Sequence, residues 1–487
     1  MTSAFRIDRV LADRPFAEAC DPVLAVPDER RGLLAVAGRA VGPWPQPVAV
    51  YRTADLACVA LARCRFPVHA LAFHPDLPLL AIGTGSYDGG YSFDGELLLL
   101  DLESGAAVSL FEHWSGRQVL GLEWLDGRSL RLLLAPPDDW QDRAAWQEGY
   151  LAELHRDDWR AVAPASVPHA ELAGPRLAVP RPDGAAAARL LLDGLHNGWE
   201  PRGPIGAVEE LADGRMLLAM PEVAVECRTP SDTVAWSLRR EGYGGEFAVA
   251  AGRRSVFVRA AEPPSVAEHS LTDGSLLARR ELPGRFTLLA CADGLPALVP
   301  FRYGDLRIRR GRLVYTAPHR RPSQSEQWLV AADPSQLPAA DRPYRPSDRY
   351  RGCFPLSWDP AQTHLPGPGV ELPDGSLVYA GTVHDGRGLQ PGGSFVVRRG
   401  PADGTPQWVF RTDRPATALD LDVDRDAVQL AYDNAELVTL SATDGTVRRR
   451  GPLTVGGVSV VATALTVPGP GRLLLGTTDG RVLSCAT

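Results

Sequence analysis

Apolar residues in this chain come in runs of four to seven, broken every ten residues or so by D-G, P-D, G-G or S-G. A buried strand has that length, and those dipeptides supply the backbone angles of tight turns. The pattern predicts short strands joined by turns along nearly the whole chain, with no long amphipathic helix. The runs align into one recurring unit: strand, Asp/Gly turn, second strand ending in Gly, loop, third strand, Asp/Gly turn, fourth strand. Its clearest copies are "VHALAFHPDLPLLAIG…GELLLLDLESGAAVSLF" (Val68 to Phe111), "ATALDLDVDRDAVQLAYDNAELVTLSATDGTVRRR" (Ala416 to Arg450) and "VATALTVPGPGRLLLGTTDGRVLSCA" (Val461 to Ala486). Self-similarity at a period of roughly 40 to 50 residues, with four short strands per unit, predicts an all-β fold: a β-propeller of four-stranded antiparallel blades.

About nine candidate units can be marked, whereas propellers usually have about four to eight blades, so at least one candidate is expected to be an insertion. Eight blades is the expectation and seven the alternative. The chain ends on three strands from Val458 to Thr487, and "FRIDRVLA" (Phe5 to Ala12) is a spare strand at its start. An N-terminal strand that completes the last blade removes two open sheet edges at once, and that closure is expected. The whole of 1–487 reads as a single propeller domain with non-repeat insertions near 164–204, which includes the Ala-rich "GAAAARLLLDG", and 332–368, which is proline-rich. Tyr344, Tyr350, Phe354 and Trp358 make the second insertion too aromatic for a plain linker, and it is expected to pack across the propeller surface.

"VHALAFHPDLPLLAIG" followed by "LLLLDLESG" resembles a WD40 repeat, and "DGTPQWVFRTD" with "GTTDGRVLSCAT" is similar to the quinoprotein-like repeat. Leu100 and Asp101 stand where the WD dipeptide would be, and His113 is the loose counterpart of the inner histidine. The resemblance implies that the loops between second and third strands leave one common face, the face that also carries the blade-to-blade connections.

Composition narrows the partners. The chain is 45% apolar and 23% charged, and no apolar run reaches the roughly 18 residues that span a bilayer. The N-terminus shows no secretory pattern, so a cytoplasmic protein that does not bind membranes is expected. Seven dispersed cysteines with no C-x-x-C pair suit reduced thiols rather than a metal site. All 51 basic residues are arginine and only Asn197 and Asn434 are asparagine, a bias that points to a high-GC bacterial genome. Without lysine there is no Schiff-base nucleophile and no phosphate-loop lysine. A net charge of −8 argues against nucleic acid, whose binding rests on a basic face.

The glycine-rich "GTGSYDGGYSFDG" after Ile82 raises a dinucleotide-type phosphate loop. That site needs G-x-G-x-x-G opening a helix. Here Asp88 occupies the sixth position and the loop leads into "ELLLLDL", so an elongated hairpin is expected instead. "GTVHDGRGLQPGG" (Gly381 to Gly393) is a second extended copy, and "GTTDG" (Gly476 to Gly480) a bare turn at the same place. Loops of this kind put Trp44, Tyr87, Asp88, Tyr91, Phe93, Trp140, Trp146, His384 and Asp385 on one expected face, with Asp94, Asp138, Asp139 and Asp142 beside them. Aromatic residues in loops are the usual anchors of protein recognition. Asp420, Asp422, Asp424 and Asp426 echo a calcium loop, but Arg425 replaces its glycine and the downstream glutamate is missing. His69 and His74 are five apart, on opposite faces of a strand. No catalytic motif is found, so no catalytic residue, metal ligand or cofactor is assigned. The expectation is a non-catalytic scaffold or sensor subunit that binds a protein partner through its loop-rich face. The alternatives are a lyase or hydrolase with a site at the mouth of the central channel, using His384, Asp385 and Asp88, and a small-ligand sensor.

Overall fold

A computed structural model describes residues 5–42, 44–87, 93–112, 117–135, 148–178, 184–197, 199–239, 245–250, 252, 254–260, 264–282, 286–290, 296–300, 307–309, 314–316, 329–331, 345–346, 349–352, 362–385, 388–401 and 404–487. Among these, eight antiparallel four-stranded units recur in chain order, spanning 21–64, 68–109, 119–178, 207–239, 247–281, 362–412, 416–452 and 462–486. The sixth carries an additional parallel strand, Arg307–Arg309, on its first strand. The eighth supplies only three strands, and the N-terminal strand Arg6–Leu11 completes it by pairing antiparallel with Val482–Ala486. The eight blades and their closure agree with the sequence expectation.

The D-G dipeptides fold as the pattern requires. In the turns at Asp126, Asp213, Asp273, Asp374 and Asp444, the aspartate Oδ1 accepts a backbone N–H two residues on, at 2.7 to 3.1 Å. The glycines of four of these turns have φ between +74° and +82°, a region that costs glycine nothing and other residues about 1 kcal/mol or more. These bonds hold Asp126 and Asp444 below the usual carboxylate range, the backbone N–H groups of Arg128 and Thr446 being the largest cause.

By contacts the chain divides into two compact units. One comprises 14–203 with 456–458 and contains the first three blades. Its second blade is apolar on both faces: Leu80, Ile82, Leu98 and Leu100 meet the first blade, while Leu79, Ala81, Leu97 and Leu99 meet the third. The outer face of the first blade, with Leu34, Val36, Ala49 and Tyr51, is covered by Phe16, Leu192 and Trp199. Leu192 lies on the helix Gly184–Leu195, which the Ala-rich stretch forms.

The other unit comprises 1–13, 204–455 and 459–487. Within it the sixth, seventh and eighth blades pack in succession, and the eighth packs next on the fourth. The joint repeats itself. Thr417 Oγ1 donates to Ala462 O at 2.5 Å, from seventh blade to eighth, and Thr463 Oγ1 donates to Ile205 O at 2.6 Å, from eighth blade to the segment entering the fourth. Asp420 and Asp422 accept the backbone N–H groups of Val467 and Gly471, at 2.9 and 2.8 Å. Of the four alternating aspartates, Asp420 and Asp422 therefore join two blades, while Asp426 accepts the Ser441 and Thr443 hydroxyls of its own blade.

Candidate interaction surface

The second-to-third-strand connections are the loops on which the candidate residues lie, and the described ones are set by their roots. In the second blade the strands Leu79–Thr84 and Leu97–Asp101 continue beyond the sheet as a two-stranded ladder in which Ser86 faces Asp94 and Tyr87 faces Phe93. The glycine-rich stretch is thus a hairpin, and no helix follows it. The glycines at its root are forced by close approach: a Cβ on Gly85 would sit 2.5 Å from Gln118 Cβ, one on Gly83 2.6 Å from Val119 Cγ1, and one on Gly95 2.6 Å from Arg117 O.

Polar groups lock this root. Glu96 N donates to Thr84 Oγ1 at 2.8 Å, and His69 Nε2 donates to Gly85 O at 3.0 Å. Arg65 N donates to Glu96 Oε2 at 2.9 Å. Burial at the seam between blades pushes the Glu96 carboxyl above its usual range, against the opposing pull of that N–H. Asp94, expected on the exposed face, is instead buried, and its Oδ1 accepts Gly95 N at 3.0 Å.

In the first blade the loop is closed by one amide. Gln46 accepts Ala40 N at 3.0 Å, and its Nε2 donates to Ala40 O at 3.1 Å and to Trp44 O at 2.9 Å. Trp44 is half-buried on this clipped loop. In the sixth blade the extended copy is again a hairpin: His384 faces Leu389 and Asp385 faces Gly388. His384 is half-buried, with Nε2 3.1 Å from Thr382 Oγ1. Asp88, Tyr91, Trp140 and Trp146 lie outside the described residues, as do Asp138, Asp139, Asp142 and His113, and for Tyr87, Phe93 and Asp385 the backbone alone is described. Trp44, Tyr87 and Phe93 belong to one compact unit, His384 and Asp385 to the other.

Four-stranded blades, Asp/Gly turns at their ends and an N-terminal strand that finishes the last blade decide the fold. It is a β-propeller. Asp101, at the end of the second blade's third strand, accepts the N–H groups of Glu103 and Ser104 at 2.9 Å. These bonds, the Ser104 N–H first among them, hold its carboxyl below the usual range. No family model matches the chain, and no curated protein matches it. Among solved structures it is similar to the C-terminal WD40 domain of Sif2, at 10% identity over 100% of this chain and 99% of that one, with a TM-score of 0.32. It is similar also to Hsv2 from Kluyvelomyces marxianus, at 9% identity over 57% and 90%, with a TM-score of 0.33. A third, the computationally designed Ika8 protein, shows 12% identity over 96% and 97%, with a TM-score of 0.18. The fold of the propeller rests on its strand ladders rather than on these likenesses.

The sequence pattern did not single out the residues that set the loop roots, Gln46, Thr84, Glu96 and Gln118. A signal was present for three of them: a lone amide or acid opening an otherwise apolar run, in "QPVAVY", "GELLLL" and "RQVLGL". One cavity of about 440 Å³, lined by His74, Asp76, Asp126, Arg128, Asp157 and Asp158 among others, lies at the first-to-second-strand turns of the second and third blades. His74 is committed there: Nε2 donates to Gly127 O at 3.0 Å, and Nδ1 accepts the N–H groups of Asp76 and Leu77 at 3.0 and 2.9 Å. Burial lowers its pKa. Among the described residues no group of three or more His, Cys, Asp or Glu could hold a metal, and no helix is long and apolar enough to cross a membrane.

Proposed function

We propose that this propeller is a non-catalytic protein-binding subunit, a scaffold or sensor, that recognises its partner through the extended second-to-third-strand loops. The observation that carries this reading is the build of the hairpin roots. Gly83, Gly85 and Gly95 are held against neighbouring side chains and backbone, and Gln46 clips its loop with three hydrogen bonds. Roots held this firmly leave less of each loop to be ordered on binding, which is what preorganisation contributes to affinity. Tyr87 and Phe93 at facing register positions, with Trp44 on a neighbouring blade's loop, are residue types enriched at binding hot spots.

The test is affinity purification of the tagged full-length protein from a high-GC bacterial host. A stoichiometric protein partner that is lost on Trp44→Ala, or on the pair Trp140→Ala and Trp146→Ala, with folding intact by circular dichroism, supports the proposal. A turnover abolished by His384→Ala in a folded protein would overturn it in favour of an enzyme.

A further inference from the structure

Chain order and packing order part at the fourth blade. In a ring built in chain order the eighth blade would meet the first. Instead Ala464, Leu474 and Val482 of the eighth pack with Val208, Met216 and Leu218 of the fourth, and Arg472 of the eighth pairs with Glu210 of the fourth at 3.0 Å. The fourth continues onto the fifth through Leu217, Val225 and Cys227 against Val256, Val258 and Ala267. The clusters that carry the succession sixth, seventh, eighth, fourth, fifth draw only on the unit of 1–13, 204–455 and 459–487. Those that join the first three blades and cover the first draw only on 14–203.

The chain leaves for 14–203 and returns from it at one turn of the eighth blade. That turn, Thr477 to Arg481, is closed by Thr477 N donating to Arg481 O at 3.1 Å. On the way out Ala12 stands in the left-handed region, at φ 56°, with its N–H held by Asp232, and Asp13 Oδ1 lies 3.5 Å from Nη1 of the buried Arg481. On the way back Ile205, also buried, donates its N–H to Thr477 O at 3.0 Å and accepts Thr463 Oγ1 at 2.6 Å. A segment whose two ends meet can enter a fold without changing the path of the chain around it, which is why insertions of whole domains succeed at such places.

We propose that 14–203 is a recognition module inserted at this turn: it folds and unfolds as a unit of its own, and it holds the partner-binding loops, while the blade succession of the other unit runs past it. Of the candidate binding residues only His384 and Asp385 fall outside 14–203. Those inside are Trp44, Tyr87, Tyr91, Phe93, Trp140 and Trp146 with Asp88, a set rich in the aromatic types that anchor protein partners through apolar contact. The binding role rests on the proposed function; the independent folding does not.

The experiment is hydrogen-exchange mass spectrometry of the full-length protein along a urea series. Peptides from 14–203 are expected to lose protection together, and peptides from the other unit together. Trp199→Ala should lower the midpoint of the first group by about 1 M urea or more and leave the second within about 0.2 M. Asp232→Ala should lower the second group and spare the first, so the two groups part even where their wild-type midpoints coincide. One transition shared by all peptides in the wild type and both variants, or a variant that moves both groups alike, would overturn the proposal. Neither outcome touches the partner-binding reading, because no partner is present. If no partner copurifies, that reading fails while the unfolding result still decides the module. With a copurified partner added, new protection is expected within 14–203, and protection on Gly388–Arg399 in its place would overturn the assignment of binding to the module.

Discussion

The first and third blades stand at the two ends of one three-blade stack, and they finish it differently. The first blade is apolar on both faces, and its free face is covered by Phe16, Leu192 and Trp199, with Phe16 edge-on to Tyr51 at 5.1 Å and to Trp199 at 6.4 Å. The third blade turns Leu130, Leu132 and Leu134 inward. On its other face Arg131 sits in register between Glu123 and Glu153, bonded to them at 3.1 and 2.9 Å. A blade needs cover only where it is apolar. One end recruits a helix and two aromatic rings, and the other needs none because its pattern alternates. In the second compact unit the fourth, fifth, seventh and eighth blades show a third solution, in which neighbouring blades cover one another.

The largest effect should come from uncovering the first blade. Trp199→Ala removes a ring that is almost wholly buried, and Phe or Trp to Ala in such sites costs about 3–5 kcal/mol. Urea denaturation followed by circular dichroism should show a loss of that size. A cost under about 1 kcal/mol would mean that the ring decorates the face rather than covers it.

Next in size is the latch of the second unit. Asp232 accepts Ala12 N on both carboxylate oxygens, at 3.1 and 3.0 Å, and also accepts Arg228 Nε at 2.7 Å. Arg228 is buried, and its second partner is Glu226 Oε1 at 2.7 Å. Asp232→Ala leaves the arginine one carboxylate short and frees the end of the closing strand. A cost of about 2–3 kcal/mol is expected, with faster amide exchange along Arg6–Leu11. Exchange unchanged in that strand would show that blade pairing alone holds the closure.

Smaller still is the charged end. Arg131→Ala should cost no more than about 1 kcal/mol, because its ion pairs are exposed. Replacing Glu123, Arg131 and Glu153 together by leucine tests the comparison differently: it gives the third blade the same apolar face as the first without the cover. That variant should self-associate in sedimentation. A monomeric triple variant would refute the claim that the charges are what leave this face free.

Much of this was legible in the residues. "LLAVAGR" and "QPVAVYR" are apolar at both parities and announce a strand buried on two faces, whereas "SLRLLL" and "YLAELH" set a charge into the alternation. The Asp/Gly turns and the spare strand at Phe5 likewise follow from local chemistry. What covers the first blade did not, because the contact of Leu192 and Trp199 with Leu34 and Val36 joins positions far apart in the chain, and no periodicity encodes it. The same limit applies to the loops. The hairpins at Gly83 and Gly381 could be read from their glycines, but the amide of Gln46 acts through the loop it closes, and Asp94 gave no sign in the sequence that it would be buried.

The seam between the first two blades offers the finest test, because it holds a carboxylate where the end face would carry one freely. Glu96 lies beside the buried Cys64 of the first blade, and burial raises its pKa. A raised folded-state value means that the native protein binds a proton more readily than the unfolded chain, so stability is fullest below about pH 4.3, the unfolded value. It is then lost as the pH rises through the folded value. Glu96→Gln keeps an oxygen to accept Arg65 N and carries no charge. The variant should match the wild type in acid and become the more stable of the two toward neutral pH. Urea midpoints of both proteins from pH 4 to 8 measure this. A difference that stays flat, or that favours the wild type as pH rises, would show that Arg65 and its N–H repay the desolvation of Glu96 in full, and that this seam tolerates charge as readily as the Arg131 face.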